Sequence, residues 1–133
     1  MMEKEQLLNT TFTCEQVVTE DMTAASAVPG TPNVFGTPVL VALAEKTCFM
    51  CMDQASVEGE ASVGVSLEIT HSSPTPVGMK VTCTAKVEKV EKKMVTFSFE
   101  ARDEAGVIGN GTHVRAYVAK AKIEEKAAAK LNK

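Results

Sequence analysis

From Val39 to Met52 the chain reads VLVALAEKTCFMCM, fourteen residues interrupted by one charged pair, Glu45-Lys46. As a helix this run is hydrophobic nearly all round, so it has to be buried on most sides rather than laid on a surface. Thr37-Pro38 just ahead of it is a helix start, with a side-chain oxygen to cap free amides and a proline where no donor is needed. A membrane span takes about 20 mostly apolar residues, and this run breaks at Glu45-Lys46. The fold must therefore wrap something around one buried helix.

What wraps it is predicted by the rest of the chain. Thr10 to Val18 is rich in β-branched residues and reads as a first strand, and Glu20 to Gly36 reads as a long loop with one short helical turn. A connection of that length usually contributes to a site. After the helix come four alternating segments, Ala61–Ser72, Met79–Val90, Met94–Arg102 and Val107–Lys120. Their apolar stripes are Val63, Val65, Leu67 and Ile69; then Met79, Val81, Cys83, Ala85 and Val87; then Val95, Phe97, Phe99 and Ala101. Residues 121–133 form a charged, alanine-rich tail with the composition of a frayed helix. The expected architecture is α+β, a five-stranded antiparallel sheet wrapped around one long buried helix, in a single domain over residues 1–133. Its long edge strands favour pairing with a second copy.

Composition removes several function classes. Fourteen Lys and Arg against 17 Asp and Glu leave a net charge of −3, so the chain has no basic footprint for nucleic acid, and with no Trp and one Tyr it has few stacking platforms. The charged start, Met1 to Asn9, lacks the apolar middle of a signal peptide, and the four cysteines sit inside apolar patterns. No membrane association, reduced thiols and a cytoplasmic location are the expectation. Cys48-Phe49-Met50-Cys51 lies within the buried run rather than at a helix start, so packing is favoured over redox chemistry, and two histidines do not support a zinc site. Met50 and Met52 read as pliable core.

Three polar residues break the hydrophobic pattern. His71 continues the stripe from Val63 to Ile69, which aims its ring at the helix. Glu45 sits in mid-helix among apolar neighbours, where burial would raise its pKa toward that of a useful base. Thr37 caps the helix whose amides and dipole favour a developing oxyanion. Thr37 and Glu45 are eight residues apart, about 12 Å along a helix axis, a span that fits opposite ends of a bound ester group. Each also has a plain structural reading, as a cap, a solvent-facing stripe and a core histidine. His113, on one face with Gly109, Gly111 and Arg115, reads as a sheet-surface or interface residue.

Three stretches carry a likeness to a known family: Val34-Phe35-Gly36-Thr37 leading into Leu40 to Glu45; Ile69-Thr70-His71-Ser72 with Thr75-Pro76 and Gly78; and Gly109-Asn110-Gly111-Thr112-His113-Val114-Arg115. In order and spacing, from about Thr10 to Val118, the sequence closely resembles the fluoroacetyl-CoA thioesterase family, a branch of the hotdog-fold thioesterases. The resemblance implies a hotdog homodimer, with pairing into tetramers left open, that hydrolyses acyl-CoA with no cofactor or metal. It implies Thr37, Glu45 and His71 as the catalytic set, with the glutamate as base or nucleophile, and Gly36, Gly64 and Arg115 on the substrate-binding side. Arg115 would orient the glutamate or contact the partner, and the cleft would lie at the subunit interface. Ala24 to Val34 holds no aromatic residue where the family's best-known member has a phenylalanine-rich lid, which points to a general short-chain acyl-CoA thioesterase. The alternative on the same fold is a non-catalytic acyl-CoA binding or sensing module.

Overall fold

The computed structural model describes residues 2–132. A 3-10 turn at Lys4–Leu7 leads into strand β1 (Thr11–Val17), and a second 3-10 turn at Glu20–Met22 precedes the short helix α1 (Ala24–Ala27). The long helix α2 runs Thr37–Asp53. Strands β2 (Glu60–His71), β3 (Lys80–Glu91), β4 (Met94–Asp103) and β5 (Gly106–Ala119) follow, and helix α3 (Lys120–Ala128) occupies the charged tail. The strands form one antiparallel sheet in the order β1-β3-β4-β5-β2 around α2, which is the hotdog architecture. No described helix is long and apolar enough to cross a membrane.

The core follows from two periodicities meeting. Leu40, Leu43, Ala44, Thr47, Cys48, Cys51 and Met52 recur at three- and four-residue steps and are buried. Opposite them, every second residue of β3 and β4 is buried: Val81, Cys83, Ala85, Val87, Val95, Phe97, Phe99 and Ala101. Two polar side chains in this layer are anchored to carbonyls of α2. Thr47 Oγ1 donates to the Leu43 carbonyl at 2.7 Å, and Tyr117 Oη donates to the Met52 carbonyl at 2.6 Å, tying the end of α2 to β5. Cys48 and Cys51 are buried free thiols, as the packing reading expects; burial pushes both up, and pushes Cys83 up to about 11.

Sheet curvature comes from irregularities. Register shifts fall between Gly64 and Ser66, between Val87 and Lys89, and between Ala101 and Arg102. At Gly111 a Cβ would lie 2.0 Å from the Glu68 carbonyl oxygen and 2.8 Å from Phe99 Cζ, so only glycine lets β5 pass over that ring.

Four expectations need correction. The bulge at Val65 resets the phase of β2: Ser62 and Gly64 face α2 before it, Leu67, Ile69 and His71 after it, and Val65 is exposed. On β5 the buried set is Ile108, Gly109, His113, Arg115 and Tyr117, so His113 lies inside the layer rather than on the sheet surface. Helix α2 is not enclosed all round, because Ala42, Lys46, Phe49 and Met50 are exposed. Met50 is therefore not core, whereas Met52 is.

Candidate active site

The start of α2 is held from two sides. Phe35 N–H donates to the Thr75 carbonyl at 2.8 Å, and Gly36 N–H donates to the Met22 carbonyl at 2.9 Å. A Cβ on Gly36 would sit 3.0 to 3.2 Å from the backbone of Thr23 and Ala24, which has no room to give. That close approach makes Gly36 the helix cap and Thr37 the first helical residue, so the Thr37 hydroxyl is not spent on capping. Instead Thr37 Oγ1 is 2.7 Å from His71 Nδ1. The imidazole stands edge-on to buried Phe35, at 6.4 Å between ring centroids, and its Nε2 has no hydrogen-bond partner among the described residues. Burial lowers the His71 pKa from its usual value, with the Ser73 backbone working weakly the other way, so the ring is neutral at neutral pH. Ala24, Val34, Ser72, Ser73 and Pro74 complete an open pocket of about 280 Å³ around this pair.

Two turns further along, α2 presents Glu45 to the edge of the sheet. Its carboxylate is 45% exposed, not buried as the apolar pattern predicts, because it lies beside the open strip of the helix. Arg115 Nη1 approaches Glu45 Oε2 at 3.4 Å, and the arginine side chain itself is only 7% exposed. The guanidinium is held by Ser62, with Nε donating to Oγ at 3.0 Å and Nη2 to the backbone carbonyl at 2.8 Å. Phe49 covers it from the helix side, 5.8 Å from ring centroid to Cζ. Burial lowers the Arg115 pKa, offset in part by Glu45, and leaves the group charged.

Gly64 makes the space for this carboxylate. A Cβ there would fall 2.7 Å from Glu45 Oε2 and 3.2 Å from His113 Cε1. Because the first of these atoms ends a flexible side chain, Gly64→Ala is expected to displace Glu45 rather than unfold the sheet. Any catalysis that uses the Glu45 carboxylate should drop about 100-fold while the thermal midpoint moves little, read by kinetics and calorimetry on one preparation.

The structure thus brings together the pair Thr37 and His71, and separately the group Glu45, Arg115 and Gly64. Within one protomer these two sets line different pockets. The second, about 210 Å³, is lined by Val41, Glu45, Gly64, Val65, Ser66, Leu67 and His113 and opens at the β2 edge. Ser62 and His113 are additions that the sequence did not single out as site residues.

This arrangement was compared with known proteins. The family model described as "FlK: Fluoroacetyl-CoA-specific thioesterase" matches residues 18–121. The chain belongs to this family. A curated relative, the fluoroacetyl-CoA thioesterase of Streptantibioticus cattleyicolor, is 38% identical over 87 residues, covering 65% of this chain and 63% of the relative's length. A solved structure of the fluoroacetyl-CoA thioesterase FlK superposes with a TM-score of 0.89 at 32% identity, covering 92% of this chain and 96% of that one. A thioesterase-superfamily protein from Thermus thermophilus gives a TM-score of 0.85 at 29% identity over 94% and 93% of the two chains. The matched residues 18–121 include both polar sets of this chain.

Proposed function

We propose that this protein is an acyl-CoA thioesterase that hydrolyses a small acyl-CoA to the free acid and CoA, acting as a homodimer. The observation that carries the reading is the half-exposed Glu45 carboxylate, backed by a buried arginine, on the same helix that sets Thr37 against a neutral His71. Thioester hydrolysis needs an oxygen delivered to the acyl carbon, a donor on the carbonyl and little help for the leaving thiolate, because thiols ionise near pH 8.5. Glu45 supplies the oxygen, either its own or that of a water it deprotonates. When Glu45 deprotonates a water, that water's oxygen adds to the acyl carbon, the C–S bond breaks, and the proton passes from the carboxyl to the departing sulfur; when Glu45 itself attacks, the thiolate leaves, a mixed anhydride forms, and a water then hydrolyses it to the free acid and returns the carboxylate. The Thr37 hydroxyl, at the positive end of the α2 dipole and fixed by His71, faces the carbonyl oxygen as charge develops there.

The spacing explains why two copies are invoked. Glu45 is about 12 Å along the axis from Thr37, too far for both to touch one carbonyl within a protomer. Strand β2 is an edge of the sheet and exposes Val65 beside the Glu45 pocket. Pairing of two β2 edges would close this pocket and let Glu45 of one protomer meet Thr37 and His71 of the other. The open pocket of about 280 Å³ is of a size that fits a short acyl group.

The reading is tested by offering acetyl-, propionyl- and butyryl-CoA to the purified protein with a thiol-reactive dye. Catalytic CoA release from at least one is expected. Ligand-induced thermal stabilisation without thiol release across the panel would instead identify a binding module.

A further inference from the structure

His113 is 2% exposed and takes no direct part in the proposed chemistry, yet it is fully engaged. Its Nδ1 lies 2.8 Å from the Ser66 carbonyl oxygen, and a carbonyl can only accept, so Nδ1 carries the proton. The opposite nitrogen, Nε2, is 3.3 Å from Arg115 Nη1, which can only donate, so Nε2 offers its lone pair. Both contacts demand the same neutral tautomer. A second proton on Nε2 would set N–H against N–H beside a fixed positive charge. Burial lowers the His113 pKa, the Ser66 carbonyl opposes that shift, and then Arg115 lowers and Glu45 raises it, leaving the ring neutral at neutral pH.

Arg115 Nη1 has two hydrogens, and its two neighbours are His113 Nε2 and Glu45 Oε2. Ser62 occupies the other side of the guanidinium through Nε and Nη2. With Ser62 alone the group can still tilt about that side. The His113 lone pair fixes the remaining corner and so sets the direction in which the second Nη1 hydrogen points.

We propose that His113, held by the Ser66 carbonyl at the β2 bulge, is a positioning residue that aims Arg115 at Glu45 and thereby fixes the carboxylate in its attacking orientation. The inference rests on the thioesterase reading for its kinetic consequence, but the geometry it describes is independent of turnover. It also gives the bulge a role: the register shift between Gly64 and Ser66 turns Gly64 inward beside Glu45 and brings the Ser66 carbonyl to the histidine.

Two variants separate aiming from mere filling of the site. In His113→Asn the amide reaches the position of Nδ1, keeps the Ser66 bond and is too short for Arg115. In His113→Gln the amide oxygen reaches the position of Nε2 and can accept from Arg115. The Asn variant is expected to fold with a near-native thermal midpoint and lose about 10- to 100-fold in kcat with KM changed little. The Gln variant should recover most of that loss. Crystal structures of both supply the turnover-free readout, with Arg115 Nη1 within hydrogen-bond reach of Glu45 in Gln and out of reach in Asn. Native kcat in Asn, or equal impairment of Asn and Gln, overturns the positioning role. Arg115 unmoved in Asn overturns it whatever the kinetics. If the unaltered protein hydrolyses no acyl-CoA, the functional reading fails, while the paired crystal structures still decide whether His113 aims Arg115.

Discussion

Glu45→Gln is expected to lower kcat/KM for acyl-CoA hydrolysis by about 1,000-fold or more, with a shift of only a few degrees in thermal midpoint. The amide keeps the volume and can still accept from Arg115 Nη1, so the buried guanidinium loses no hydrogen bond. It removes the negative charge, and with it both the nucleophile and the base. Because the side chain is 45% exposed, solvent screens its ion pair and the pair contributes little to the fold. Substrate affinity, measured by calorimetry with a slowly hydrolysed thioester, should remain near native, since the loss falls on the chemical step. A Gln variant of undiminished activity would remove Glu45 from the mechanism.

The second large effect concerns Thr37 and His71 together. Thr37→Val and His71→Ala are each expected to cost about 100-fold in kcat, and the double variant little more than the worse single one. The 2.7 Å contact is the reason: without the ring the hydroxyl is free to rotate away from the carbonyl, and without the hydroxyl the ring has nothing to orient. Fully additive losses would show that the two residues act separately. Loss of folding in His71→Ala is not expected, because the ring, though it faces α2, is only half-buried and sits at the end of β2 beside an open pocket.

How much of this was legible in the sequence depends on whether the signal was periodic. Strand β3 as far as Val87 and strand β4 follow strict alternation, and their inward residues could be read directly. The helix and its start were equally plain. Its capping was not, because Thr before Pro satisfies the usual cap preference, while the actual cap, Gly36, is set by contact with the backbone of Thr23 and Ala24. Period-two counting placed His71 correctly and Val65 wrongly, since the bulge inserts one residue ahead of the correctly phased half. The inner face of β5 was hidden for a different reason. It carries glycine, histidine and arginine where a hydrophobic stripe is sought, and the histidine and arginine are held by hydrogen bonds they donate to β2, which no local pattern announces. Tyr117, the only tyrosine in the chain, lies in the same register as Gly111, His113 and Arg115, and would have indicated the buried face.

The proposed mechanism requires Glu45 of one protomer to work against Thr37 and His71 of the other. Two inactive chains, Glu45→Gln and the Thr37→Val/His71→Ala double variant, can be co-expressed with different tags and the mixed dimer isolated. One of its two sites would then combine an unaltered Glu45 with an unaltered Thr37 and His71, and the mixed dimer should regain about half the native activity per dimer. A mixed dimer as inactive as either parent, from a preparation whose unaltered counterpart is active, would mean that the site is built within a single protomer.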